Sequence, residues 1–139
     1  MTPEQLLGLA NLVALLAWVA LILLPRVPAI TRLVSGLIVP GLLAVTYVIL
    51  LAVNWGGPGG FGSLTAVAQL FDNRWMLLAG WIHYLAFDLL VGTWEVQDAR
   101  ERGLTHLLLV PCLLLTFMFG PAGWLLYQGV RQFAPHPNR

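Results

Sequence analysis

The sequence has little charge and no lysine. Charged residues make up 9% of its 139 residues and hydrophobic residues 59%, whereas soluble domains carry roughly 25% charged residues. A soluble protein of this size lacks the polar groups to cover its surface, but a lipid bilayer accepts an apolar exterior. We therefore expect one integral membrane domain over residues 1–139.

Cysteine and basic runs are also scarce. Cys112 is the single cysteine, so an intrachain disulfide and a cysteine-based metal site are excluded, and we interpret Cys112 as a small packing residue. The seven arginines form no basic run, so nothing supports nucleic-acid binding. No basic segment of the signal-peptide type precedes the first apolar run. We expect a bacterial inner membrane, or a thylakoid-type membrane, as the location.

Four apolar runs are long enough to cross a bilayer. They cover about residues 6–24, 33–53, 75–94 and 104–127. At about 1.5 Å rise per residue, such runs span a hydrocarbon core of about 30 Å. The sequence thus predicts an all-α integral membrane bundle of four transmembrane helices. Pro40, Pro111 and the Gly120-Pro121 pair predict kinks or a break within the second and fourth runs.

The segment between the second and third runs contains a helical signal of its own. Ser63 is a suitable N-cap, and Leu64, Val67 and Phe71 recur at helical spacing. This pattern is typical of a short interfacial or re-entrant helix. The alternative is a plain loop.

Arginine placement gives only a weak prediction of orientation. With four spans, the first and third loops share one side and hold four arginines: Arg26, Arg32, Arg100 and Arg102. The second loop and the tail hold three on the other side: Arg74, Arg131 and Arg139. The positive-inside rule then places both termini outside.

The third run carries ionisable side chains at a depth where charge is costly. His83, Tyr84 and Asp88 lie within two helical turns, and a charge at the bilayer centre costs roughly 2.5–3.5 kcal/mol on insertion scales. Such residues usually face the bundle interior and serve a function. At about 100° per residue, Tyr84 and Asp88 share one face, which Glu95 and Asp98 continue. His83 lies about 140° from Asp88 around the helix axis, so no direct contact between them is expected.

The third loop is short enough to bring His106 back toward Glu95 or Asp98. With His83 and Asp88, these residues would offer two histidines and three carboxylates, which suit iron, manganese or zinc. Their spacing matches no helix-borne ligand motif, so a metal is the less favoured reading. One alternative is that Asp98 and His106 contact another bound molecule. The other is that Asp88 hydrogen-bonds a neighbouring helix and that the charges from Glu95 onward belong to a solvated loop.

Aromatic residues supply a further candidate surface. Trp18, Trp81 and Trp124 lie deep in the predicted spans, beside alanines and glycines. Such a combination would line a flat apolar cleft for a long polyene or a lipid. Ordinary packing of small residues at helix contacts is the alternative. Trp81 and Phe87 are the candidate contacts within the third run.

One stretch resembles a known family signature. It reads Gly80-Trp81-Ile82-His83-Tyr84-Leu85-Ala86-Phe87-Asp88 and is similar to the abscisic-acid-deficient-four-like family. The resemblance continues through Asp98, His106, Val110-Pro111-Cys112 and Phe119-Gly120-Pro121, so it covers most of the chain. Plant members are chloroplast membrane proteins required for neoxanthin synthesis. They look like isomerases that open an epoxide of violaxanthin to form an allene.

The resemblance implies acid–base chemistry without a redox cofactor. Epoxide opening needs a base that removes a neighbouring proton and an acid that protonates the leaving oxygen. Asp88 would be the base, and either Tyr84 or His83 the acid. A carotenoid, another isoprenoid or a membrane lipid would be the bound molecule. Its candidate contacts are Trp81, Phe87, Asp98 and His106.

Two other functions fit the same sequence. A non-catalytic accessory subunit of a photosynthetic or other membrane complex would bind pigment or lipid without turnover. A small transporter would use Asp88 as a proton or ion site. The transporter is the less favoured of the two, because no inverted repeat is visible, although four helices could form a homo-oligomer that encloses a path.

Overall fold

The computed structural model describes residues 1–133 of the chain. Within them lie the helices α1 (Pro3–Leu23), α2 (Ala29–Asn54), α3 (Leu64–Asp72), α4 (Arg74–Glu101), α5 (His106–Phe119) and α6 (Pro121–Val130). A 3-10 turn, Arg131–Phe133, follows, and this part of the chain contains no strand. Three of these helices, α1, α2 and α4, are long and apolar enough to span a membrane. The expected all-α membrane architecture is therefore confirmed at this level. The prediction for Arg139 lies outside the described residues.

Helix α4 is the centre of the bundle. It has 28 residues, so it extends over about 42 Å, and it packs against α1, α2, α3, α5 and α6. Helix α1 lies parallel to it, because Glu4 pairs with Arg74 at one end and Trp18 packs against Gly92 further along. Helix α2 is antiparallel, since Ser35 near its beginning contacts α4 late in that helix.

The predicted short helix before α4 is present. The Ser63 hydroxyl accepts a hydrogen bond from the Ala66 amide at 3.1 Å, which is the expected N-cap interaction. The Phe71 ring packs on α4 at Gly80, where an added Cβ would lie 3.0 Å from the ring. The glycine thus lets α3 lie close against the start of α4.

Helix α2 begins with a π-helical segment, Ala29–Ile38, before α-helical winding resumes over Val39–Asn54. The Val39 amide donates to the Val34 carbonyl. In the same winding the Ser35 carbonyl would need an N–H from residue 40, and Pro40 has none. The Thr93 hydroxyl of α4 donates to the Ser35 carbonyl instead, at 3.1 Å. The disturbance predicted at Pro40 thus takes the form of a π-helical segment just before it.

The fourth predicted span, 104–127, is not one helix. Helix α5 ends at Phe119, Gly120 adopts a φ of +30°, and α6 begins at Pro121. Gly123 then packs directly on the backbone of Thr116, so α6 folds back along α5. With 14 and 10 residues, the two helices extend about 21 and 15 Å, less than a core of about 30 Å. The described chain therefore holds three spanning-length helices and one helical hairpin, α5–α6.

Pro111 and Cys112 both lie within α5. Pro111 lies inside α5 without ending it, so the break occurs only at Gly120. Cys112 is fully buried, with its Sγ 3.7 Å from the Leu108 carbonyl, as expected for a packing residue.

The hairpin places Arg131 at the other end of the bundle from the one that four spans would give it. Arg131 lies 3.3 Å from Asp98, near the end of α4, so it shares that end with the first and third loops. We call this the arginine-rich end; its members are Arg26, Arg32, Arg100, Arg102 and Arg131. The opposite end holds Arg74, paired with Glu4. The count of four arginines against three therefore becomes five against one among the described residues.

Candidate functional site

One face of α4 carries polar side chains toward the hairpin, as the helical spacing predicts. The Tyr84 hydroxyl is placed to donate to the carbonyls of Phe117, at 3.3 Å, and Met118, at 3.1 Å. These carbonyls lie in the last turn of α5, where backbone acceptors lack a partner inside the helix. Tyr84 thus holds the tip of the hairpin against α4.

Asp88 lies at the middle of α4 and against the turn of the hairpin. The residue is 9% exposed, and a Cβ added to Gly120 would lie 2.5 Å from its Oδ1. Its Oδ2 is buried and has no hydrogen-bond partner within residues 1–133. Leaving a buried polar group unpaired costs about 1–3 kcal/mol. A carboxyl group kept under such conditions is a candidate functional group.

Glu95 is a second buried carboxyl group on the same face. Its exposure is 0%, and the Thr116 hydroxyl lies 3.0 and 3.1 Å from its two oxygens. The reading of Glu95 as part of a solvated loop is therefore wrong. Helix α4 continues to Glu101, about two turns past the apolar run, and the hairpin covers this extension.

Asp98 ends the polar face at the arginine-rich end. It accepts hydrogen bonds from Tyr127 at 2.6 Å, Arg102 at 2.8 Å and Arg131 at 3.3 Å. These partners come from α6, from the C-cap of α4 and from the turn after α6. This arrangement favours a structural role for Asp98, which holds the hairpin against α4, over the ligand contact suggested for it.

His83 lies apart from Asp88, as the helical spacing predicts. Its ring stacks on Phe87 with 4.6 Å between centroids and lies 5.3 Å from the ring of Tyr47 on α2. The structure thus brings Tyr84 and Asp88 to one face of α4 and leaves His83 beside α2.

An apolar cleft lies between α1, α3 and α4, at the end of the bundle opposite the arginine-rich end. Its volume is about 530 Å³. Its walls include Leu7, Phe71, Leu77, Gly80, Trp81 and Tyr84, with Glu4 and Arg74 at its mouth. We call it the aromatic cleft. The Trp81 indole donates to the Asn11 side chain at 2.8 Å, and its ring lies 5.2 Å from that of Tyr84.

The other deep aromatic residues do not share this cleft. Trp18 is 2% exposed and its ring fits against Gly92, which is ordinary helix packing. Phe87 and Trp124 line a separate open groove of about 410 Å³ on the other side of α4. Trp81 and Phe87 therefore do not contact one common pocket.

The five residues considered as metal ligands are not gathered together. His106 Nε2 lies 2.8 Å from the Ile22 carbonyl, and Asp98 is bound by arginines. Within the part of the chain that the structure describes, no group of three His, Cys, Asp or Glu side chains is placed to hold a metal ion.

Three residues that contact the candidate site residues, Asn11, Thr116 and Gly120, are not among the site residues predicted from the sequence. Asn11 and Thr116 are polar residues inside apolar runs, and that isolation is a usable signal. Gly120 gives no such signal, because its contact with Asp88 depends on the direction in which the hairpin turns.

A family model described as ABA DEFICIENT 4-like matches residues 5–127. The chain belongs to the ABA DEFICIENT 4-like family. This match takes in the polar face of α4 and most of the aromatic cleft and of the hairpin, and it confirms the resemblance seen in the sequence. No curated protein and no solved structure matches the chain.

Proposed function

We propose that this member of the family binds a carotenoid or related isoprenoid and isomerises it through Tyr84 and Asp88. The position of Tyr84 carries the proposal. Tyr84 lines the aromatic cleft and shares its face of α4 with Asp88, whose Oδ2 lacks a partner in the described chain. The resemblance to plant members required for neoxanthin synthesis supplies the substrate class.

The aromatic cleft suits one end of a long apolar molecule. Aromatic rings of Phe71 and Trp81 form its walls. Trp81 is 45% exposed and Leu77 is 55% exposed, so the cleft opens on the outer surface of the bundle. From Arg74 to Tyr84 it follows ten residues of α4, about 15 Å. It therefore holds one end group and leaves the rest of a polyene in lipid.

The reaction that we propose is an isomerisation in which atoms and electrons balance. The Asp88 carboxylate removes a proton from the carbon beside the epoxide. The electron pair of that C–H bond forms the new double bond as the epoxide C–O bond breaks, and Tyr84 protonates the oxygen. Asp88 then returns its proton to the Tyr84 phenolate. Tyr84 is preferred to His83 as the acid because the His83 ring lies beside α2.

Conversion of an added epoxy-carotenoid by the protein purified in mild detergent tests this proposal. Asp88→Asn and Tyr84→Phe are each expected to slow conversion about 10²- to 10⁴-fold, the usual contribution of a general acid or base. Tyr47→Phe removes a hydroxyl outside the cleft and should retain the wild-type rate, as should His83→Ala. Wild-type rates in both Asp88→Asn and Tyr84→Phe would show that the assignment of these residues is wrong.

One observation favours binding without turnover as a second candidate function. Asp88 is not among the residues that line the cleft. A pigment-binding accessory subunit would copurify with carotenoid and release it chemically unchanged. Trp81→Ala is expected to lower the bound pigment in either case. Trp124→Ala is the matched control, because Trp124 is similarly exposed, at 43%, but lines the other groove.

We further propose that α1, α2 and α4 cross the membrane and that the hairpin enters it only to mid-depth. The turn at Gly120 lies beside Asp88, at the middle of α4. The positive-inside rule places the arginine-rich end in the cytoplasm of a bacterial cell. The N-terminus of α1 then lies on the opposite side.

A further inference from the structure

A polar cavity lies at the arginine-rich end, far from the aromatic cleft. Its volume is about 450 Å³, and it forms where the loop after α1 meets the loop before α5. Arg26, Arg100, Thr105 and His106 line it. None of its lining residues within the described chain is acidic.

The two arginines of this cavity, unlike three others in the chain, form no ion pair among the described residues. Arg74, Arg102 and Arg131 are each paired with a carboxylate. Neither Arg26 nor Arg100 forms an ion pair within residues 1–133. Two guanidinium groups on one cavity without a carboxylate leave a concentrated positive charge, which favours an anion.

Local contacts hold the walls of this cavity in place. Arg100 donates one N–H to the Pro25 carbonyl at 3.3 Å, and the remaining donors of its guanidinium group stay available. His106 Nε2 lies 2.8 Å from the Ile22 carbonyl and therefore donates to it. The Thr105 side chain makes no capping hydrogen bond to α5, so its hydroxyl is also available. The cavity thus joins two cations to one available neutral donor, the Thr105 hydroxyl.

We propose that this cavity binds a phosphate group, carried by an anionic phospholipid or by a soluble phosphate. Arginine recognises phosphate through two parallel N–H donors, a geometry that a carboxylate-free cavity leaves open. Leu107, which is 80% exposed, borders the same cavity and offers apolar surface to an acyl chain. The site is separate from the isomerisation site, and neither proposal depends on the other.

Binding measurements on the full chain in neutral detergent test the site. One arm follows retention of phosphatidylglycerol against phosphatidylcholine by native mass spectrometry, and the other follows inorganic phosphate and pyrophosphate by calorimetry. The double variant Arg26→Gln/Arg100→Gln is expected to bind the preferred phosphate at least tenfold more weakly. Arg32→Gln/Arg74→Gln removes the same net charge outside this pair and is expected to bind as the wild type does.

The two arms also identify the source of the phosphate. Selective retention of phosphatidylglycerol alone assigns the cavity to a lipid headgroup, whereas binding of phosphate or pyrophosphate assigns it to a soluble ligand. Either result supports the site if the Arg26/Arg100 variant loses binding and the control variant does not. The two variants should also have the same thermal unfolding temperature. Equal binding by the two double variants, or no binding by the wild type in either arm, overturns the proposal.

Discussion

Single glycines set how closely α4 meets its neighbours. Gly92 receives the ring of Trp18, and Gly80 receives the ring of Phe71. Helices in lipid gain little from the hydrophobic effect and associate through close packing of small residues. A methyl group at such a contact must displace an aromatic ring.

Gly92→Ala is expected to destabilise the protein by about 1–3 kcal/mol, the usual cost of overpacking a buried contact. The added Cβ would overlap the Trp18 ring, which is itself 2% exposed and has little room to move. Thermal unfolding in detergent measures the change. Gly8→Ala is the matched control, because no atom lies within 4 Å of its added Cβ, and it should gain about 0.5–1 kcal/mol. Equal shifts in the two variants would contradict the packing argument.

Helical spacing predicts which residues of α4 share a face, but not what they contact. It correctly joins Tyr84 with Asp88 and separates His83, because α4 is regular over this region. It does not supply Thr116, which lies 21 residues after Glu95 in the chain. Contacts of this kind depend on the path of the hairpin, which no local pattern encodes.

At the scale of elements, the Thr93 hydroxyl of α4 forms a buried hydrogen bond to the π-helical start of α2. The wide winding and Pro40 leave the Ser35 carbonyl without a helical donor, and Thr93 replaces it. The interaction is fully buried, since Ser35 is 0% and Thr93 3% exposed. Without this hydrogen bond, the buried Ser35 carbonyl would have no donor, which would lower the free energy of unfolding.

Thr93→Val is expected to destabilise the fold by about 1–3 kcal/mol, because it leaves the buried Ser35 carbonyl without a donor. Thr93→Ser should keep most of the stability. Thr46→Val is the control, since the Thr46 hydroxyl donates to the Leu42 carbonyl within the same helix. Denaturant unfolding of the four proteins provides the measurement. A loss for Thr93→Val no larger than that for Thr46→Val would contradict the proposed link.

Apolar runs predict the existence of helices better than their direction. Hydropathy locates α1, α2 and α4 because each is a single apolar stretch. It also joins α5 and α6 into one span, since an apolar count does not register a reversal. The Gly120-Pro121 pair signals a break, but not the reversal of the chain, which the packing of Gly123 on Thr116 shows.

At the scale of the whole molecule, the hairpin determines on which side of the membrane Gln132 lies. An odd number of crossings places Gln132 on the same side as the loop after α1. A fourth crossing would place Gln132 with the loop between α2 and α3. The two arrangements can therefore be distinguished by the side of the membrane from which Gln132 is accessible.

Labelling of introduced cysteines with a membrane-impermeant maleimide distinguishes these arrangements. In a Cys112→Ala background, Gln132→Cys and Val27→Cys are expected to react from the same side of the membrane, and Gly57→Cys from the other. The reason is the return of α6 to the arginine-rich end, shown by the Arg131–Asp98 contact. Reaction of Gln132→Cys together with Gly57→Cys would restore the four-span arrangement.

The central position of α4 also has a consequence for biogenesis. Neither arm of the hairpin is long enough to insert as a stable crossing, and three polar side chains that bind it, Tyr84, Glu95 and Asp98, lie on α4. Translation completes α4 before α5 leaves the ribosome. In the proposed membrane arrangement, this polar face of α4 is therefore already in the bilayer when α5 and α6 are released to dock on it.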